Sequence, residues 1–434
     1  MANSVYRPAN GPNGTFPHAL SGTNFGVRTD ESGMVQRIER GGFDAEYSVD
    51  YIIGSGNAAL GALVKLGAHL FQSPLTYYAK RGVWDIAPGQ ERFQHPDFTR
   101  PANHECLWCH SGQPQSVPKT INQYREPLFQ VEAISCDRCH GPADDHLKSP
   151  FANTILNPVD LPPRVRDSVC EQCHLGGRAR VLNPDRAFAD FQPGMRLEDV
   201  FSVYMYDYRR DEETFTVVSH FEQLALSECK KASGEQMWCG TCHDPHDKPA
   251  EPTAHYRERC QSCHRETLAA DHGAPSRDCV SCHMARRRSH DSGHSAFSDH
   301  RIAKRPKPEV NKPPRPPPLR AWREPEGTLP RRNLGLANAS IGQNHQSMPH
   351  LREARRLLSS VRQHYPADSE LLNGLGMSLM LEGKSKAALA SPLCPSGQRL
   401  SLRWPIRQRF EFILAFRHND ELVDPDILED LGLV

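Results

Sequence analysis

The chain has 434 residues, enough for two or three domains, and its 52 lysines and arginines balance its 52 aspartates and glutamates. That zero formal charge removes the electrostatic case for a nucleic-acid partner. Hydrophobic residues are only 38 % and mean hydropathy is -0.62, lean for a chain of this length, so either much of it is disordered or something other than side chains fills the interior.

No run of apolar residues is long enough for a membrane-spanning helix. The nearest, Ala58 to Phe71, is short and interrupted by Lys65 and His69. The opening MANSVYRPANGPNG lacks a basic stretch followed by an apolar one, so it does not read as an export leader. Residues 1–103 hold no cysteine and form a β/loop N-terminal region. In it EYSVDYIIGSGN breaks at Gly54, and LVKLGAHLFQSPLTYY turns at Gly67 between two extended runs.

Residues 104–303 hold six cysteine pairs and most of the histidines, with recurrent prolines that disfavour long helices. Residues 304–332 are proline-dense and basic, a polyproline spacer rather than a ligand for a partner. Residues 333–390 read as helical repeats with a period of about 34, Gly342 recurring as Gly376 and Ala354 as Ala388. Leu375, Gly376, Leu379, Gly383 and Ala388 fit the small and apolar positions of a tetratricopeptide repeat, where helices pack closely; a generic helical pair is the alternative. Pro392 and Pro395 stop the pattern, and the tail 391–434 is expected to be irregular and not native repeat sequence, a frame disruption near Ala390 being one cause.

Twelve of the 14 cysteines fall into six C-x-x-C pairs, each followed at once by histidine. They are Cys106, Cys109 and His110; Cys136, Cys139 and His140; Cys170, Cys173 and His174; Cys239, Cys242 and His243; Cys260, Cys263 and His264; and Cys279, Cys282 and His283. This is the attachment signature of c-type haem. Two thiols three positions apart on a helical turn face the same way and reach the two vinyl groups on one haem edge. The next residue then ligates iron from the proximal side. Zinc sites do not require histidine at that position, and a thioredoxin-like pair is usually single. Six apolar haems would also replace the missing side-chain core.

For the second axial ligand the chain offers His104, His146, His220, His246, His255, His272, His290, His294 and His300, and spacing alone does not pair them with haems. Cys229, followed by Lys230, has Leu226 where a second cysteine would stand, and reads as structural. Arg286, Arg287 and Arg288 are either partners for haem propionates or a solvated basic run.

The strings YIIGSGN, LFQSPLTYYAKRGVWDIAPG, ISCDRCHGP, VCEQCHL, SHFEQLALSEC, GTCHDPH, DCVSCHM and FSDHRI, together with the repeat pattern, resemble bacterial multihaem cytochromes of the cytochrome c-552/c-554 type fused to tetratricopeptide repeats. The resemblance implies covalent haem, electron transfer and a periplasmic or otherwise extracytoplasmic location. It favours His146, His220, His246, His294 and His300 as distal iron ligands; His104 and His290 match less well. Family members usually begin with an export signal and a further haem motif, so a chain truncated at its start is expected.

The expectation is a mixed fold: an irregular, mainly α, haem-packed cytochrome region, preceded by a small β/loop region and followed by a short α-helical repeat region. Electron transfer between redox partner proteins is favoured, with the repeats as a surface for a protein partner. The alternatives are an oxidoreductase acting on small nitrogen or sulfur compounds at an open-face haem, and a repeat-based scaffold.

Overall fold

The computed structural model describes residues 5–6, 12–31, 33–54, 56, 58–91, 95–149, 155–207, 215–264, 278–289, 295–304, 318–325, 327 and 329–382. The expected tail after Ala390 lies outside them, as does the proline run 305–317.

The N-terminal region is built of sheet. Strands β2 (Gly14–His18), β3 (Thr23–Asp30), β4 (Gly33–Arg40) and β5 (Phe43–Val49) form an antiparallel meander. A second sheet runs β1 (Val5–Tyr6), β6 (Tyr51–Ile53), β7 (Leu60–Leu66), β8 (His69–Tyr78), β10 (Arg100–Pro101), with β9 (Val83–Ile86) also paired to β8. Alternate residues Phe25, Val27, Met34 and Ile38 of the meander meet Ile52, Val64, Leu75, Trp84 and Ile86 of the second sheet in one core. The β4–β5 turn is the two-glycine loop Gly41–Gly42, both at positive φ, which suits a hairpin between Arg40 and Phe43.

These sheets correct the expected fold class. The chain is not a mainly α haem-packed protein with a small β part: antiparallel sheet is a major component and continues beyond the N-terminal region. Strands β11 (Gln113–Ser116) and β12 (Tyr124–Val131) pair, and so do β15 (Arg286–Arg288) and β16 (Ala296–Ser298). Strands β13 (Ala179–Leu182), β14 (Phe201–Tyr206) and β17 (Leu319–Ala321) form a three-stranded sheet. Period-two patterning was hard to see because many inward positions are polar: Gln36, Ser73 and Thr76 are buried in the N-terminal sheets.

The three-stranded sheet has two dry faces. Phe201, Val203 and Met205 point toward the cysteine motifs with Leu175 and Trp108. Ala179, Val181, Tyr204, Leu319 and Ala321 point toward Ala337 and Ile341 of a C-terminal helix. Residues 318–325, inside the segment read as a spacer, are therefore a packed part of the fold.

The C-terminal helices run Leu329–His345, Met348–Val361 and Ser369–Leu381. Their close packing depends on glycine: a Cβ at Gly335 would lie 2.6 Å from Leu358, at Gly342 2.7 Å from Leu351, and at Gly374 2.9 Å from Leu336. Arg332, 1 % exposed, clamps this region by donating to Asp368 at 2.6 Å, to Glu370 at 2.9 Å and to the Leu182 carbonyl of β13 at 2.7 Å. Among the described residues no helix is long and apolar enough to cross a membrane.

Arg332→Met should destabilise the docking of the C-terminal helices by about 3 kcal/mol, because it strips a buried carboxylate of its partner. Hydrogen exchange across 329–382 reads this directly, and unchanged protection would show that Arg332 is not the clamp.

Candidate functional site

All six cysteine pairs lie on single helical turns. They sit in the helices α1 (His104–His110), α2 (Asp137–His140, with Cys136 as its cap), α4 (Pro163–His174), α7 (Cys239–Cys242), α8 (Pro252–Gln261) with the turn after it, and α9 (Cys279–His283); α3 (Asp144–Lys148) lies between the second and third. Caps set two of these turns: Asn103 accepts from the Cys106 amide at 2.9 Å, and Asp278 from the Val280 amide at 3.0 Å. The 13 described cysteines are free thiols, and all keep some accessible surface. Among the described residues no group of three or more His, Cys, Asp or Glu is arranged to hold a metal ion, so the pairs do not converge as zinc ligands would.

The residues between the cysteines interlock the first three motifs. In CLWCH, Leu107 is buried with Leu63, Leu70, Tyr124 and Leu128 on the outer face of the second N-terminal sheet. Trp108 points the other way, among Leu175, Phe201 and Val203. In CDRCH, the guanidinium of Arg138 lies 3.3 Å from the Trp108 ring centroid and donates to the Trp108 carbonyl at 2.8 Å. In CEQCH, Gln172 accepts from Arg138 at 3.1 Å and donates to its carbonyl at 3.0 Å. Glu171, fully buried, accepts from the Trp322 indole at 2.9 Å and from Arg323 at 2.6 Å. Burial pushes its carboxyl up to about 7 despite these donors.

Thiols of different motifs also meet. Cys109 contacts Cys173, Cys170 contacts Cys239, and Cys260 contacts Cys279. Contact with Cys173, helped by Arg180, holds the Cys109 thiol low, and Cys173 is pushed up in turn.

The histidines come together in pairs that their spacing did not reveal. The ring centroids of His140 and His246 are 5.9 Å apart with planes at 17°, and those of His243 and His300 are 6.2 Å apart. His174 and His220 are 5.2 Å apart, and His220 is 4.9 Å from His300. Two imidazoles bound to one metal through nitrogens about 2 Å away place their centroids roughly 6 Å apart. The first two pairs have that separation, and the third would open by about 1 Å. Burial and neighbouring imidazoles push His220 down to about 3, and burial lowers His174, His243 and His300. Lowered values favour the neutral imidazole, the form that ligates metal.

Hydrogen bonding decides which ring nitrogen is available. The Nδ1–H of His140 donates to the Leu156 carbonyl at 2.7 Å, that of His283 to Ala303 at 3.0 Å, and that of His300 to Ser298 at 3.0 Å. His246 Nδ1 is 3.3 Å from Asp244. Each such bond leaves Nε2 as the ligating atom. His104 and His255 are set the other way: their Nε2 atoms donate to the carbonyls of Gln123 at 3.3 Å and Cys242 at 3.1 Å. His146, on α3, is half-buried with no hydrogen-bond partner for Nδ1 among the described residues. His272, His290 and His294 lie outside the described residues.

The residues present fit haem. His110 and His174 keep accessible surface, and burial by the surrounding protein lowers their pKa values. Among described residues 222–304, which hold three of the motifs, no hydrophobic side chain is fully buried. Cys229, half-buried near Cys242 and Cys263, has its thiol pushed up by burial, and Lys230 donates to the Met237 carbonyl at 2.5 Å. Arg287 is paired with Asp299 at 3.4 Å, and Arg301 with the same carboxylate at 2.5 Å. Sequence reasoning missed Arg138, Arg180 and Glu171; a buried charge inside a motif or strand leaves no periodic signal.

No protein-family model matches the chain, and no curated protein matches it. A crystal structure of the outer cell wall cytochrome OcwA is similar to it over 85 % of this chain and 88 % of that one, with 14 % identity and a TM-score of 0.40. So remote a likeness adds nothing to what the cysteines and histidines carry themselves.

Glu171→Ala should loosen segment 318–325 by on the order of 3 kcal/mol, since it leaves Arg323 without its carboxylate. Faster proteolysis beside Trp322 is the expected readout, and an unchanged cleavage rate would remove this contact as the tether.

Proposed function

We propose that the chain is a c-type cytochrome with six covalently attached haems that passes electrons between redox partner proteins outside the cytoplasm. The observation that carries this is the coincidence of two independent patterns. Six Cys-x-x-Cys-His turns are present, and the histidines of three face a second imidazole at 5.9, 6.2 and 5.2 Å. When bound, haem supplies one-electron iron chemistry. The chain's part is to hold and orient it.

The paired thiols of each turn attach one haem edge, and His110, His140, His174, His243, His264 and His283 are the proximal ligands. His246 serves the CDRCH site, His220 the CEQCH site and His300 the CGTCH site. His146 and His294 are the candidates for the remaining faces. His104 and His255, whose Nε2 atoms are already committed, are not ligands on this reading. Closed faces on both sides suit electron transfer over substrate binding. The finer kinship is of the c-552/c-554 type with tetratricopeptide repeats, the helices from Leu329 onward offering a protein-docking surface. On this scheme residues 1–103 are the β region, 104–303 the cytochrome domain and 333–390 the repeats. Attachment requires export.

Expression with export in a haem-maturing host should raise the intact mass by six haem masses and give a low-spin reduced spectrum; a smaller increment overturns the count. His246→Ala should convert about one haem in six to a high-spin, ligand-binding form, whereas His104→Ala should not. An entirely low-spin His246→Ala protein would sink the assigned pairing.

A further inference from the structure

Two arginines are buried where two attachment motifs meet, and the proposed function does not account for them. Arg138 is 5 % exposed and the Arg180 side chain 4 %. Arg180 donates to Cys109 Sγ at 3.2 Å, to the Leu175 carbonyl at 2.6 Å and to the Gln172 carbonyl at 3.3 Å. Arg138 hydrogen-bonds Cys173 and the carbonyls of Trp108 and Gly112, and its Nε has no partner among the described residues. Cys109 and Cys173 are themselves in contact, so two guanidinium groups flank a single junction between the first and third sites. The free thiols here stand where thioether sulfurs would be in the loaded protein.

The compensation is incomplete. The carboxylate opposite Arg180 is Glu105 at 3.6 Å, which is partly exposed. Asp137, which acts on Arg138, is engaged by Ser135 and by Gln113 at 2.8 Å. Nearby, Glu171 is taken by Arg323 and Asp167 by Arg166. Most of the partners of the two guanidiniums are neutral carbonyls, sulfur and an indole face. Arginine does not give up its proton in a protein. A buried, under-compensated cation is costly unless something nearby benefits from it.

Given the haem reading above, we infer that Arg180, at the junction of Cys109 and Cys173, holds the first and third haem sites at a higher reduction potential than they would have without it. With haem bound, the arginine would act on the one-electron Fe(III)/Fe(II) couple, the electron coming from a redox partner protein and no proton being transferred. Reduction lowers the positive charge on iron, and a fixed cation in a low-dielectric interior favours the product. The third site also adjoins the second through Arg138 and Gln172 and the fourth through Cys170 and Cys239.

The test is a spectroelectrochemical titration of the exported six-haem protein and of Arg180→Leu, Arg180→Gln and Arg180→Lys. Removal of the charge should lower two of the six one-electron steps, the reduced-to-oxidised ratio at fixed potential falling about tenfold, or about 59 mV, while the other four stay in place. Arg180→Lys should restore both. Where the leucine variant does not accumulate, Arg180→Gln, which keeps donors for the Leu175 carbonyl, gives the same comparison. No shift, an equal shift of all six steps, or failure of lysine to restore the two would overturn the inference. A wild-type protein without six haems by mass would instead refute the reading on which it rests.

Discussion

The packing of Arg138 against Trp108, 3.3 Å from guanidinium carbon to ring centroid, is the contact on which the arrangement of the first three motifs depends. A Cys-x-x-Cys-His motif of five residues cannot bury itself; the two residues between its cysteines are the ones free to specify a neighbour. Here each of those pairs is spent on another element. Leu107 enters the N-terminal sheet, Trp108 and Arg138 hold each other, Gln172 exchanges hydrogen bonds with Arg138, and Glu171 takes Trp322 and Arg323 from the strand that leads to the C-terminal helices. Arginine suits the centre because its planar head stacks on an indole and still donates in its own plane.

The β-sheets gain a role from this. The N-terminal double sheet presents an outer face of Tyr51, Leu63 and Leu70 on which Leu107 sits. The three-stranded sheet stands between the motifs and the C-terminal helices, with Phe201, Val203 and Met205 on one side and Ser202 and Tyr204 on the other. Arg180, on β13, points to the motif side, and its neighbours Ala179 and Val181 point to the helices. One residue of register slip in β13 would exchange these environments, putting a charge into the helix interface. The apolar contacts on both faces fix that register.

The sequence was most legible where chemistry demands a fixed spacing. The six Cys-x-x-Cys-His motifs were legible as local turns, because thiols three positions apart share one face of a helical turn. Of the helical glycines that admit leucines, only Gly342, which admits Leu351, was marked by the repeat pattern; Gly335 and Gly374 were not. The extent of β-structure was not legible. Thr23–Asp30 and Gly33–Arg40 carry few apolar residues, and inward positions such as Gln36 are polar, so alternation is masked. Segment 318–325 looked like tether by proline density alone, while its hold on the fold comes from Glu171, some 150 residues earlier and visible only in three dimensions. The histidine pairs were hidden likewise: composition supplied candidates, and only the fold brings rings together and sets Nε2 of His104 and His255 against the Gln123 and Cys242 carbonyls.

The separation of those pairs along the chain bears on how such a protein holds together. His140 meets His246, His174 meets His220 and His243 meets His300, so each pair joins segments that are distant in sequence. Ordering such long loops costs chain entropy before any contact repays it. In the N-terminal region Phe25, Ile38, Trp84 and their neighbours repay it with buried apolar area. Among described residues 222–304 there is no such core, and imidazoles without a shared metal attract each other little. On the proposed reading, metal bound by the paired imidazoles would cross-link these loops and offset that cost. The N-terminal sheets need no such cross-link, because strand pairing and a side-chain core hold them.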